Sequence, residues 1–117
     1  MTIISSHVLD AVKGDHAAGI HIACYALFDG QPAEQLFALD ANDEGRIAEK
    51  VDIDLAQPVT LELVFQSSAY FEKAHGRPSD GATIPEIVVR IAPTADKPKV
   101  HVPIMLSPHS YSIWWSS

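Results

Sequence analysis

Residues 99–117 read KVHVPIMLSPHSYSIWWSS, and this stretch decides the fold that we predict for the chain. Aliphatic residues alternate with other types over residues 100–106, and such a period of two is typical of a β-strand with one buried face. The serines and proline of residues 107–110 predict a turn. Residues 111–115 are β-branched or aromatic apart from Ser112, which predicts a second strand and therefore a C-terminal hairpin.

The first strand of this hairpin separates His101 from its aliphatic neighbours. Four aliphatic residues occupy one face of the strand, while His101, Pro103 and Met105 occupy the other. The aliphatic face is expected to pack on the core. His101 is therefore expected to point away from the core, toward some other surface.

The rest of the chain repeats short β-patterns separated by turns. Strands are predicted at residues 2–12, 20–28, 36–40, 46–53, 59–66 and 84–91. One helix is predicted over residues 69–75, with Ser67 and Ser68 as caps and Gly76 as its stop. Pro85 indicates an edge or irregular start for the strand that contains it. Seven or eight closely spaced strands with one helix predict an all-β antiparallel sandwich.

Composition limits the classes of function. At 117 residues with 47% hydrophobic residues and a net charge of −7, the chain is expected to form one globular domain, residues 1–117. No basic stripe marks a nucleic-acid interface, and no apolar run approaches the length of about 18 residues that a membrane span needs. Without a secretory signal pattern we expect a cytoplasmic protein. The single cysteine, Cys24, is expected to be a small buried residue.

The six histidines raise the question of a metal site. No pair or cluster has the spacing usual for zinc, so neither a metal nor any other cofactor is expected. Four of the histidines are expected to be surface residues without a role: His16, His21, His75 and His109.

Three stretches together resemble the transthyretin-like (prealbumin-like) family. They are SHVLDAVKG at residues 6–14, LVF and AYF within residues 63–71, and LSP followed by YS within residues 106–112. They occur in the family's order across nearly the whole chain. The resemblance implies a β-sandwich of two four-stranded sheets with one short helix between the fifth and sixth strands.

The family contains a hormone carrier and the enzyme 5-hydroxyisourate hydrolase. The enzymes carry a histidine in the first strand, an arginine after an acidic-glycine turn, and a histidine before Val-Pro in the penultimate strand. His7, Arg46 after residues 43–45, and His101 match these positions. The resemblance thus implies hydrolysis of 5-hydroxyisourate to 2-oxo-4-hydroxy-4-carboxy-5-ureidoimidazoline, in urate degradation.

Opening such a ring at a carbonyl needs a base for water and a positive group for the developing oxyanion. A histidine suits the base because its pKa lies near neutral pH, and an arginine presents fixed donors and stays charged. Either His101 or His7 is then the base, the other orients water or substrate, and Arg46 stabilises charge. Taken without the resemblance, each of the three residues can equally be structural or simply solvated.

The last four residues depart from the enzymes, which end in Tyr-Arg-Gly-Ser. Here the chain ends in Trp114, Trp115, Ser116 and Ser117. The resemblance implies that Trp114 and Ser117 bind substrate. The guanidinium lost at Trp115 predicts weaker turnover or a less polar substrate. Because Trp114 and Trp115 are adjacent on a strand they face opposite ways, and one is expected in the core and the other near the site or at a subunit interface.

Three hypotheses follow. The first is a homotetrameric 5-hydroxyisourate hydrolase that acts on a small purine-derived substrate in a channel between dimers. The second is a binding protein that uses the same channel without turnover, and the third is a divergent member that has lost activity. A turnover assay with fresh 5-hydroxyisourate separates the first from the other two.

Overall fold

The computed structural model describes residues 1–78 and 82–116. In chain order these residues form β1 (Thr2–Asp10), β2 (Asp15–His16), β3 (His21–Leu27), β4 (Glu34–Asp40), β5 (Arg46–Val51), β6 (Thr60–Phe65), α1 (Ser67–His75), β7 (Ile87–Ile91), β8 (Lys99–His101), β9 (Ile104–Leu106) and β10 (Tyr111–Ile113).

The strands form two sheets. In the larger, β1 is central and pairs with β5, β8, β9 and β2, while β10 pairs with β9; the smaller has the order β4-β3-β6-β7. The predicted all-β sandwich of two sheets with one short helix is confirmed. The pairing of β1 with β8 and β9 is parallel, however, and every other strand pair in the described residues is antiparallel.

The alternation of β1 sets the two faces of the larger sheet. Its even-numbered residues, from Thr2 to Asp10, are buried, and its odd-numbered residues from Ile3 to Leu9 are half-buried on the outer face. A single cluster of buried side chains joins both sheets, with Phe65, Leu61 and Ile104 among its largest members. Side chains at odd positions of β1 are therefore free to build a site outside this core.

The strand predicted over residues 100–106 is divided into β8 and β9. Pro103 lacks an N–H group, which breaks the ladder at this point. β8 and β9 nevertheless pair with β1 at the same difference in residue number, since Ser5 pairs with His101 and Val8 pairs with Ile104. The break therefore keeps the register, and His101 lies on the outer face as predicted, between buried Val100 and Val102. Pro103, predicted on the same face as His101, is itself buried.

The helix follows its predicted stop but not its predicted start. Gly76 adopts the left-handed conformation after the last turn, with φ of 67°. No side chain caps the N-terminus, so the predicted serine caps are wrong. The hydroxyl of Ser67 is buried and has no hydrogen-bond partner in the described part of the chain, and that of Ser68 donates to the carbonyl of Pro85 at 2.7 Å.

Two smaller expectations are also resolved. The strand that contains Pro85 in the prediction begins only at Ile87, and it lies at the edge of its sheet, as expected for a proline-interrupted start. Cys24 is fully buried, and burial raises the pKa of its thiol to about 12.

In the described part of the chain, no helix has both the length and the apolar character needed to cross a membrane.

Candidate functional site

The register of the larger sheet brings the three predicted catalytic residues onto one outer surface. His7 pairs directly with Arg46 across β1 and β5, and His101 pairs with Ser5 across β1 and β8. All lie at positions that alternate with buried ones. We call this surface the histidine face and define it by His7, Arg46 and His101.

The turn before β5 holds the backbone of Arg46. The side-chain oxygen of Asn42 accepts hydrogen bonds from the N–H groups of Glu44 and Arg46, each at 2.9 Å. Gly45 has a φ of +70°, and its carbonyl accepts a hydrogen bond from the N–H of Val8 at 2.8 Å. The turn therefore ties Arg46 to β1 through backbone contacts.

Gly45 is required for this close approach. A Cβ atom there would collide with the carbonyl oxygen of Val8. We expect Gly45→Ala to lower the free energy of unfolding by more than the roughly 1–2 kcal/mol of the left-handed conformation alone. Gly19→Ala is the matched control, since Gly19 has a φ of +78° but open space around it. Equal losses in urea denaturation would show that the contact with Val8 is not limiting.

His101 has one ring nitrogen engaged and one free. Its Nδ1 lies 2.8 Å from the hydroxyl oxygen of Ser5, while Nε2 has no partner in residues 1–78 and 82–116. Burial and, second, the nearby Arg46 lower the pKa of His101 below its usual value. The ring is therefore mostly neutral near pH 7, and Nε2 is a free base in the tautomer whose Nδ1–H donates to Ser5.

A shallow pocket of about 310 Å³ lies beside Arg46 and His101. Its lining includes Ser5, Asn42, Arg46, Ala48 and His101. His7 does not line this pocket, although it adjoins Arg46 in the sheet. The predicted trio thus shares one face, but only two of its members border the same depression within the subunit.

His7 has an unexpected partner in His16. Nε2 of His7 lies 3.0 Å from Nδ1 of His16, and the ring centroids are 5.2 Å apart. Burial lowers the pKa of His7, and so do Arg46 and His16. His16 lies at the surface as expected, with its side chain 39% exposed, but sequence reasoning missed its contact with His7. The sequence signal for this contact is the turn predicted at residues 13–15. A tight hairpin at this turn pairs Leu9 with His16.

His75 also has a partner, away from the histidine face. Its Nε2 lies 2.6 Å from a carboxylate oxygen of Asp10, and the hydroxyl of Tyr70 donates to the same oxygen at 2.7 Å. The other carboxylate oxygen accepts from the N–H groups of Val12 and Lys13. This cluster ties α1 to the end of β1, so His75 is structural and not a free surface residue.

The C-terminal tail continues the pairing of β10 past its last strand residue. The N–H of Trp114 donates to the carbonyl of Pro103 at 3.2 Å, and Ser116 and His101 exchange two backbone hydrogen bonds. The register therefore places Trp114 and Ser116 on the same side as His101. Ser117, the other predicted substrate-binding residue, lies outside the described residues.

Trp115 falls on the opposite side from Trp114. It borders a cavity with Ile91, Pro93 and Val100, and the ammonium of Lys97 lies 4.9 Å from its ring centroid. Trp114 and Trp115 are 48% and 47% exposed, so the expectation that one of them fills the core is wrong. The reason is local, because the loop at residues 92–98, and not a strand, lies beside Trp115.

No metal centre is evident in the described ranges. Within residues 1–78 and 82–116, no group of three or more histidine, cysteine, aspartate and glutamate side chains is placed to hold a metal ion. The histidine face instead offers a free imidazole nitrogen beside a guanidinium. That combination accepts a proton and stabilises a negative oxygen.

Known proteins resemble the chain along its full length. The sequence profile of the HIUase/Transthyretin family matches residues 4–115. The 5-hydroxyisourate hydrolase 2 of Rhizobium meliloti is 31% identical over 97% of this chain and 95% of its own. The 5-hydroxyisourate hydrolase of Pseudomonas aeruginosa is 29% identical over 97% of this chain and 90% of its own.

Solved structures agree on the fold. A crystal structure of (S)-allantoin synthase matches with a TM-score of 0.83 and 25% identity over 99% of this chain, which spans 44% of that protein. The Klebsiella pneumoniae 5-hydroxyisourate hydrolase matches with a TM-score of 0.75 and 24% identity over the whole of both chains. These likenesses support the two-sheet sandwich with one helix.

Proposed function

The chain belongs to the HIUase/transthyretin family, and we propose that it hydrolyses 5-hydroxyisourate to 2-oxo-4-hydroxy-4-carboxy-5-ureidoimidazoline. Its relatives along the full length are 5-hydroxyisourate hydrolases. The observation that carries the proposal for this chain is the pocket that Arg46 and His101 both line, in which Nε2 of His101 has no hydrogen-bond partner among the described residues.

We assign the general base to His101. In this assignment the Nδ1–H of the neutral ring donates to the hydroxyl oxygen of Ser5, 2.8 Å away, which leaves the lone pair on Nε2. A water molecule held there loses its proton to Nε2 as its oxygen bonds to the substrate carbonyl carbon. The ring C–N bond at that carbon then breaks, and the leaving nitrogen takes the proton back from Nε2. Nε2 of His7, by contrast, is engaged with His16, which favours an orienting role for His7.

Arg46 supplies the positive charge. The attack places negative charge on the carbonyl oxygen, and a guanidinium stabilises it without changing its own protonation. The effect of Arg46 on the pKa values of both His7 and His101 supports this assignment, since it places its charge within electrostatic reach of both. Arg46 thereby also keeps His101 neutral and able to act as a base.

The test is turnover of freshly prepared 5-hydroxyisourate, measured against its spontaneous decay. We expect the purified protein to accelerate the decay and Arg46→Gln to remove most of the acceleration. The alternative is a binding protein, and the exposed indole of Trp114 beside the histidine face favours it. Saturable binding of a purine analogue without any acceleration would replace the hydrolase proposal with that alternative.

Trp114 is the aromatic residue proposed to bind substrate. We expect Trp114→Ala to raise KM by about 2–10-fold, because aromatic stacking contributes about 0.5–1.5 kcal/mol. Trp115→Ala is a matched control, since it removes an equally exposed indole from the opposite side. Equal effects of the two variants on KM would contradict the binding role of Trp114.

The position of Trp115 also predicts what restoring the family's C-terminal residues, Tyr-Arg-Gly-Ser, would do. Trp115→Arg together with Ser116→Gly reproduces two of its residues, but position 115 faces the cavity beside Lys97. Within one subunit the new guanidinium would therefore not enter the pocket of Arg46 and His101. Any deficit of the wild-type tail at this site is accordingly assigned to Trp114 and Ser116.

A homotetramer, one domain over residues 1–117 and a cytoplasmic location complete the proposal. Met105 and Trp114 are large apolar residues that are 41% and 48% exposed on the outer side of the C-terminal hairpin, which favours a partner surface there. The family profile spans most of the proposed domain, and a lone cysteine fits a reducing compartment. A stable monomer by light scattering at micromolar concentration would contradict the tetramer.

A further inference from the structure

The outer face of the larger sheet is positively charged in a chain that is negative overall. Directly paired residues of neighbouring strands place their side chains on the same face of a sheet. By this rule the outer face carries the following positive or protonatable side chains: Arg46, Lys50, Lys99, His7, His16 and His101. No aspartate or glutamate occupies an outer-face position in the described strands of this sheet. Since the chain has 15 acidic residues against 8 lysines and arginines, the charges are segregated.

Lys50 and Lys99 flank a single residue of β1, Ile3. Ile3 pairs with Lys50 of β5 on one side and with Lys99 of β8 on the other. Because neighbouring strands are about 4.8 Å apart, the Cα atoms of the two lysines lie about 10 Å apart across Ile3. Both lysines are exposed, and neither forms an ion pair within residues 1–78 and 82–116. We call these two residues the lysine pair; both ammonium groups are available to a ligand anion over Ile3.

The lysine pair lies next to the pocket of Arg46 and His101. In the adjacent row of outward-facing residues, Ser5 is flanked by Ala48 and His101, and all three line the pocket. The two rows are two strand residues apart, which is about 7 Å. A lysine ammonium is carried on a flexible four-carbon stem, so it can meet a group that projects from the pocket toward Ile3.

We propose that Lys50 and Lys99 form an anion-binding subsite at the edge of this pocket, and that the pocket takes a ring ligand whose negatively charged group lies over Ile3. The two ammonium groups attract that group from both sides, whereas a neutral ring gains nothing from them. The subsite orients the ring along β1, with its anionic end at the lysine pair and its other end at Arg46 and His101. The contribution to turnover rests on the proposed function, whereas the preference for an anionic ring does not.

A small anion fits this arrangement better than an extended polyanion. The positive side chains occupy one face of one sheet, and the net charge of the whole chain is −7. Such a charge repels a long polyanion such as a nucleic acid, whose binding needs a basic surface with an excess of positive charge. A compact anion, in contrast, feels mainly the charges next to it, because salt screens those beyond about 10 Å.

The experiment removes the charges of the lysine pair from the full chain. Lys50→Gln, Lys99→Gln and the corresponding double variant keep a long polar side chain without the charge. The double variant Lys50→Arg, Lys99→Arg keeps both charges. Lys73→Gln, on an exposed residue of α1, removes one positive charge away from the larger sheet. Because all three lysines are exposed, every variant is expected to fold, and far-UV circular dichroism verifies this.

The primary measurement is calorimetric binding of two purines near pH 7, urate as the anion and hypoxanthine as the neutral ring. We expect the wild type to bind urate more tightly. The Kd for urate should rise about 2–5-fold in each single glutamine variant, the range for an exposed charge pair, and about 5–25-fold in the double variant. The Kd for hypoxanthine should not change, and the arginine variant and Lys73→Gln should bind urate like the wild type.

Several results would overturn the subsite. They are a wild type that does not bind urate or binds both purines equally, an equal weakening of both purines in the double glutamine variant, and an effect of Lys73→Gln as large as that of Lys50→Gln. The last result would show that net charge, and not the position of the lysine pair, attracts the anion.

The second measurement is kcat/KM for 5-hydroxyisourate at low and high salt. We expect the double glutamine variant to lower kcat/KM about 5–25-fold at low salt, and the difference from the wild type to shrink at high salt because the attraction is screened. An unchanged kcat/KM beside weakened urate binding would overturn the role of the subsite in the reaction. If the wild type shows no turnover at all, the proposed function fails, and the binding of urate and hypoxanthine alone decides the subsite.

Discussion

Replacing His101 with asparagine is expected to lower the turnover of 5-hydroxyisourate on the order of 10²–10⁴-fold, the contribution of a positioned general base. The amide of asparagine can still hydrogen-bond to Ser5, whose hydroxyl oxygen lies 2.8 Å from Nδ1 of His101, but it offers nothing in place of Nε2. The substitution thus removes the base and keeps the neighbouring hydrogen bond. Initial rates at saturating substrate measure the effect.

Folding should be unaffected by this change, because His101 lies on the outer face of its sheet. Thermal unfolding of the variant tests that point, and His109→Asn controls for the loss of an exposed histidine. A rate equal to that of the wild type would show that His101 is not the base, and that the base is either His7 or no histidine.

The pH profile tests the same assignment in the wild type. Burial and the charge of Arg46 lower the pKa of His101 below its ordinary value, which is about 6.5. The neutral form is the base, so turnover should decline as the pH falls and reach half its maximum only below about pH 6.5. A decline already centred above pH 7 would contradict a neutral His101 beside a guanidinium.

Asp10→Asn is expected to have the largest effect on stability, lowering the free energy of unfolding by about 3–6 kcal/mol, since it weakens two hydrogen bonds to a buried carboxylate that contribute about 1.5–3 kcal/mol each. Asparagine can keep the two backbone contacts of the turn after β1. Its amide nitrogen cannot accept from both His75 and Tyr70, which share one carboxylate oxygen. Urea denaturation of the two proteins measures the difference.

Asp40→Asn provides the matched comparison. Asp40 also pairs with a histidine, His21, at 2.8 Å, but its side chain is 69% exposed. Exposed pairs contribute only about 0–1 kcal/mol, so this variant should unfold close to the wild type. Similar losses in both variants would show that burial of Asp10 does not decide the result.

The contribution of Asp10 to the free energy of unfolding should also depend on pH, and it should decrease at low pH. Burial alone raises the pKa of Asp10, but hydrogen bonds from His75, from the N–H of Lys13 and from Tyr70 outweigh it and hold the pKa below its usual value. A carboxyl with a depressed pKa in the folded state stabilises the fold fully above its unfolded pKa, about 3.9. The stability difference between wild type and Asp10→Asn should therefore shrink as the pH falls below about 4.

Local patterns in the sequence were sufficient for the fold class and for the faces of individual strands. The period of two around His101 places it opposite the buried Val100 and Val102, and the structure agrees. The same rule separates Trp114 from Trp115. Such inferences succeed because side chains alternate along any extended strand, whatever its neighbours are. Pro103 interrupts the ladder without altering the register with β1.

Contacts between strands were decided by the tertiary structure alone. Which odd position of β1 meets Arg46, and which meets His101, depends on the register with β5 and β8, and one-residue slips would exchange the two faces. The parallel pairing of β1 with β8 and β9 joins segments about 96 positions apart, beyond the reach of local periodicity.

The same reason explains the histidines that the sequence left without a role. His16 reaches His7 only because a short hairpin folds β2 back onto β1, and His75 reaches Asp10 only because α1 packs against the end of that strand. The sequence by itself determined which residue types are present, the alternation of each strand and the family. Register and packing, which depend on pairing between distant segments, determined which of those side chains touch.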